Sequence, residues 1–139
     1  MKKAISVTSS PPPVGPYSQA IVTDDLVFVA GQGPMNPATK SLPEAIEGQT
    51  HQALCNIRSI LAASGGSMDD VVKATVHLAD LASFAAFNRV YAEYFHKPYP
   101  ARTTVGSRLD GILVEIDVIA IRHRRESSRP ARAGATEAE

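Results

Sequence analysis

The stretch Ile112-Leu113-Val114-Glu115-Ile116-Asp117-Val118-Ile119-Ala120-Ile121 governs how the rest of the chain is read. Val114, Ile116, Val118 and Ala120 alternate with Leu113, Glu115, Asp117, Ile119 and Ile121, the period of two that sends successive side chains to opposite faces of a strand. Both faces carry aliphatics. A strand that is apolar on both sides is normally buried on both sides, so one face is expected to pack on the protein's own helices and the other against a second subunit. Glu115 and Asp117 interrupt the aliphatic run on that second face. Carboxylates withdrawn from water need partners.

Working outward, residues 102–108 form another β-prone run, placed after Tyr99-Pro100-Ala101. Before it, Phe84, Phe87, Val90, Tyr91, Tyr94 and Phe95 predict the buried stripe of a helix that Asp80 caps and that Pro98 and Pro100 bar from continuing. Val72, Ala74, Val76 and Leu78 alternate with Lys73, Thr75 and His77, which predicts a strand with one apolar and one mixed face. From Ile46 to the stop at Gly65-Gly66, apolar residues recur at 53, 54, 57, 60 and 61, one face of a 3.6-residue period. Residues 19–22 and 26–30, split by Thr23-Asp24-Asp25, predict a hairpin, and residues 4–7 an opening strand. The order is strand, strand, strand, helix, strand, helix, strand, strand. That predicts an α+β fold: a single mixed β-sheet of about six strands with two helices packed on one face.

The whole chain has 139 residues, 44% of them hydrophobic, with 14 basic groups balancing 14 acidic ones. One soluble domain is expected, large enough to bury a core without disulfides. Residues 124–139 carry four arginines, three glutamates and no aliphatic larger than alanine, so the domain is placed at 1–123 and the remainder is read as a disordered tail. Zero net charge argues against a nucleic-acid binder that works by displacing counterions. No apolar run approaches the roughly 20 residues of a membrane helix. The lone Cys55 and the absence of an apolar run behind Lys2-Lys3 predict a cytoplasmic protein.

Five residue types invite a chemical reading. His51, His77, His96 and His123 show no paired spacing with one another or with Cys55, so no metal site is predicted. Cys55, next to Leu54 on a core-facing helix, reads as a small packed side chain rather than a nucleophile. Gly31-Gln32-Gly33-Pro34 is too short for a phosphate loop and lacks its lysine, although a glycine amide there could serve an anion. Glu115 and Arg102 remain. A structural ion pair and a ligand cleft between subunits, with arginine holding a carboxylate and glutamate acting as acid or base, both fit the pattern.

Gly15-Pro16-Tyr17-Ser18-Gln19-Ala20, Ala30-Gly31-Gln32 with Pro34 and Asn36-Pro37, Phe87-Asn88 with Tyr91, Pro100-Ala101-Arg102-Thr103 and Val114 to Ala120 together resemble the RidA/YjgF family, over residues 4–122. The resemblance implies a chorismate-mutase-like fold assembled as a homotrimer, with ligand clefts between subunits. It implies hydrolysis of enamines and imines such as 2-aminoacrylate to 2-keto acids and ammonia, with no cofactor or metal. By the same resemblance Arg102 binds the substrate carboxylate, Glu115 activates water, Tyr17 and Asn88 line the cleft, and Gly31 contributes a backbone amide. Asp117 is a structural neighbour. Three positions depart from the family pattern: Thr104 stands where cysteine is common, Ala30 where a hydroxyl is common, and the connection 105–112 is shortened. Thr104 is counted with the substrate-binding residues, and the departures bear on substrate range. The alternatives are a non-enzymatic ligand-binding or RNA-directed, translation-inhibitor-like member of the family and, ranked last, a chorismate mutase.

Overall fold

The computed structural model describes residues 1–123; the predicted tail lies outside the described residues. The elements are β1 (Lys3–Ile5), β2 (Ala20–Val22), β3 (Leu26–Gln32), α1 (Ile46–Ala63), β4 (Val71–Leu78), α2 (Phe84–Tyr91), β5 (Ala101–Gly106) and β6 (Val114–Ile121). The strands form one six-stranded sheet in the order β1-β2-β3-β6-β4-β5. β6 is central, paired antiparallel with β3 on one edge and β4 on the other. Its aliphatic character on both faces belongs with that position. β4 and β5 pair in parallel, which requires a crossover, and α2 lies within it.

The pleat separates two environments. Val114, Ile116, Val118 and Ala120 join Val27, Val29, Ala74, Val76 and Leu78 in one buried core with Leu54, Ile57, Ile60 and Leu61 of α1 and Phe87 and Tyr91 of α2. The alternate residues Glu115, Asp117 and Ile119 are only half-buried, and Phe28 and Ile121 are exposed. Both helices therefore cover the same face and the other lies open in the single chain.

Element boundaries shift where local geometry differs from pattern. β3 runs two residues past Ala30, because a register shift between Val29 and Gln32 lets Gln32 pair with Ile116. The second helix is shorter than its aromatic stripe. Asp80 caps a 3₁₀ turn, Leu81–Ser83, by accepting from the Ala82 amide at 2.9 Å, and α2 ends at Tyr91. Phe84, expected inside, is 44% exposed. Its ring lies in the first turn beside a guanidinium rather than in the core. No helix among the described residues is long and apolar enough to cross a membrane.

Candidate active site

One group of expected residues meets at the end of β3. Gly31 lies against Glu115 so closely that a Cβ at 31 would stand 3.0 Å from the Glu115 Cδ and 3.2 Å from its Cγ. Real Cβ atoms keep a wider berth, so the absence of a side chain at 31 is what admits the carboxylate. Glu115 and Tyr17 border a cavity of about 330 Å³, walled by Pro11 to Val14, by Gly31 to Met35, and by Leu42 and Ile112. Tyr17 is half exposed, and its hydroxyl accepts a bond from the Val14 amide at 3.2 Å. Among the described residues no cation pairs with Glu115.

The walls are irregular chain, and buried amide side chains hold them. Gln19 accepts from the Val7 amide (2.7 Å) and donates to the carbonyls of Val7 (3.1 Å) and Pro11 (2.8 Å). Asn56 of α1 donates to the carbonyls of Gly33 and Met35, both at 3.0 Å. Gln49 donates to the Pro43 carbonyl and accepts from the Leu113 amide, both at 2.8 Å. These three side chains are at most 4% exposed, and satisfied buried polar groups fix loops as firmly as a core fixes helices. Gln49 and Asn56 were not singled out from the sequence. The available signal was their spacing of seven on α1, which puts two amides on its inward side.

A second group gathers at β5. Arg102 donates to Asn88 Oδ1 at 2.7 Å, and its guanidinium carbon lies 4.7 Å from the ring centre of Tyr91, 5.3 Å from Phe87 and 5.6 Å from Phe84. Such cation–π contacts contribute up to about 2 kcal/mol when desolvated. Burial pushes the Tyr91 hydroxyl pKa up while the Arg102 charge opposes the shift. Thr104 is half-buried on the same face, because Arg102 and Thr104 stand beside the inward-facing Ala74 and Val76. No carboxylate among the described residues forms an ion pair with Arg102. A half-buried guanidinium held by one neutral amide and three rings keeps its capacity for an anion.

The two groups do not meet within one chain. Glu115 faces His77 across β6 and β4, on the open side of the sheet, whereas Arg102 faces α2 on the helix side. Asp117 accompanies Glu115 on the open side, where burial raises its pKa and the His77 and Lys73 charges oppose that. His77 bonds through Nδ1 to Ser107 Oγ at 2.7 Å. Cys55, expected to be packed in the core, is half-buried between the helices, with its sulfur 3.5 Å from the Tyr94 hydroxyl and 3.4 Å from an Arg58 nitrogen. His51 bonds the same hydroxyl at 2.9 Å. Burial, with the Cys55 thiol adding to it, pushes that phenol to about 12. These residues tie α1 to the chain after α2, away from the cavity. No group of three or more His, Cys, Asp or Glu among the described residues could hold a metal.

Residues 7–122 match the family described as Endoribonuclease L-PSP. A RutC family protein of Pyrococcus horikoshii is 48% identical over 123 residues, covering 86% of this chain and 98% of the relative. A bovine (Bos taurus) protein named 2-iminobutanoate/2-iminopropanoate deaminase is 42% identical over 124 residues, covering 87% and 90%. The crystal structure of RidA from an Antarctic Psychrobacter superposes with a TM-score of 0.82 at 38% identity, covering 86% of this chain and 98% of that one. Sequence and fold lead to one assignment: this chain belongs to the RidA/YjgF/RutC family.

Proposed function

We propose that the protein is a deaminase that hydrolyses 2-imino acids to 2-keto acids and ammonia, in clefts that each take Glu115 from one copy of the chain and Arg102 from another. The observation that carries the proposal is a pair of unsatisfied charges. Glu115 and Arg102 are both half-buried and neither has an ionic partner among the described residues; Asn88 accepts from Arg102 at 2.7 Å, and Glu115 fits over the bare Gly31. Leaving such charges uncompensated in an assembled interface is costly. A ligand carrying a carboxylate and a basic nitrogen supplies what both lack. The names of relatives, the bovine imine deaminase among them, support the same chemistry.

In this reading the chain assembles as a homotrimer through the open sheet face, where Phe28, Ile119 and Ile121 lie uncovered or half-covered. Arg102, steadied by Asn88 and the Tyr91 ring, holds the substrate carboxylate, with Thr104 beside it on the same strand. Gly31 offers its amide and Tyr17 closes the opposite wall. Glu115 takes a proton from water as the oxygen attacks C2 of the protonated imine. The proton then passes to nitrogen, the C–N bond breaks as the Glu115 carboxylate takes the hydroxyl proton, and ammonia leaves with the 2-keto acid, the glutamic acid returning that proton to solvent. A protonated imine is already electrophilic, so orientation and one acid–base group suffice, worth about 10² to 10⁴-fold from the proton transfer alone.

The test couples the protein to an amino-acid oxidase and follows removal of the imine against the uncatalysed rate. Arg102→Ala is expected to raise KM and to cut kcat/KM by at least about 10²-fold, the loss of a bidentate charged contact. An Arg102→Ala protein as active as the parent overturns the assignment. RNA bound more weakly as salt rises would favour the RNA-directed reading instead.

A further inference from the structure

We infer that the Tyr91 hydroxyl is a positioning group for Arg102, without a partner until a carboxylate ligand turns the guanidinium and supplies one; the inference rests on the deaminase reading above. Among the described residues, its oxygen is the one buried side-chain polar atom that makes no hydrogen bond. A buried hydroxyl left unpaired forfeits the bonds it had to water, and such orphans call for an explanation. Packing does not ask for it. Tyr91 is the middle ring of three, its centre 5.5 Å from that of Phe87 and 4.4 Å from that of Phe95. A phenylalanine would fill the same space without the unpaired oxygen.

What can reach the oxygen decides its use. Tyr91 is 6% exposed and its oxygen is shut off from solvent, so neither bulk water nor the surface of a second copy comes to it. Arg102 does. Its guanidinium carbon stands 4.7 Å from the Tyr91 ring centre. Burial raises the phenol pKa and the Arg102 charge pulls it back, which puts the cation beside the oxygen as well as over the ring. A guanidinium offers several N–H donors in a fixed fork. Among the described residues Arg102 spends one of them, on Asn88 Oδ1 at 2.7 Å. A carboxylate held in bidentate fashion takes a further pair and fixes the plane of the fork. A small turn about the last torsions of the side chain then brings a remaining N–H to the phenol oxygen. That bond forms only with the ligand in place, so its whole worth goes into holding the ligand, and an acceptor already out of water gains much from a charged donor.

The experiment compares full-length Tyr91→Phe with the parent in oxidase-coupled imine removal, in calorimetric titration with 2-ketobutanoate, an unreactive carboxylate of the product class, and in thermal unfolding without ligand. The bond supports bound substrate and transition state alike, so KM is expected to rise about tenfold while kcat stays within about twofold of the parent. Affinity for the keto acid should fall by the same factor of about ten. The thermal midpoint is expected to equal the parent's or to exceed it by a few degrees, because an unpaired group has been removed. A merely structural hydroxyl would lower the midpoint and leave KM alone. An unchanged KM with unchanged keto-acid affinity overturns the inference and leaves the deaminase reading intact. A lower midpoint also overturns it, because the hydroxyl would then have a partner before any ligand arrives. A parent that binds the keto acid but removes no imine overturns the deaminase reading, and the titration alone then decides the role of Tyr91. A parent that does neither overturns both.

Discussion

At Gly31 a missing side chain decides where a charge can sit. A methyl group there would overlap the carboxylate of Glu115, and its backbone has an ordinary φ, so the requirement is one of space alone. Gly31→Ala is therefore expected to keep its fold and lose its chemistry. A displacement of about 1 Å in a reacting group costs on the order of 10²-fold, so kcat should fall by that factor while the thermal midpoint moves by no more than a few degrees; circular dichroism melts and steady-state kinetics check the two halves. Arg102 and Glu115 stood out in the sequence because one is a charge shortly after Pro100 and the other a charge set among aliphatics. What could not be read was their separation. The face of Arg102 depends on the parallel register of β5 against β4, Ala74 beside Arg102, and register at the end of a crossover depends on how α2 seats, which no local pattern encodes.

At the scale of elements, α1 does more than cover the sheet. Its apolar stripe was plain from the 3.6-residue period, yet Gln49 and Asn56 reach carbonyls and amides between 6 and 64 residues away in the chain. Those partners lie outside the regular elements, so only the folded arrangement reveals them. Asn56→Ala leaves two part-buried carbonyls short of a donor, at about 1–3 kcal/mol for the unsatisfied groups. Denaturant unfolding should show a loss in that range, and deamination should suffer as well, because Gly33 and Met35 frame the cavity. An Asn56→Ala protein as stable as the parent would show that water replaces the amide. The aromatic stripe after Asp80 illustrates the opposite case. The spacing of the stripe predicted one helix from Phe84 to Phe95, but the chain leaves α2 at Tyr91, and Phe84 serves Arg102 instead of the core.

At the scale of the whole molecule, the central strand's two aliphatic faces predicted a helix-covered side and a side packed against a second subunit; in the single chain that second side lies open. The six-stranded sheet with both helices on one face was legible from strand and helix order alone. The open side holds Glu115, Asp117, Lys73 and His77 among Phe28, Ile119 and Ile121, and the helix side holds Arg102. In the proposed reading a single chain carries two half-sites that it cannot close. Symmetric association is the arrangement that supplies both halves to every cleft at once. The most direct measurement is complementation: Arg102→Ala and Glu115→Gln chains are each made alone and then co-expressed in equal amounts. Each alone should be nearly inactive, and random mixing should restore about a quarter of the parental deaminase activity, because that share of clefts receives an intact arginine from one copy and an intact glutamate from its neighbour. Mixed assemblies as inactive as either variant alone would contradict the shared cleft, and with it the account of how this chain acts.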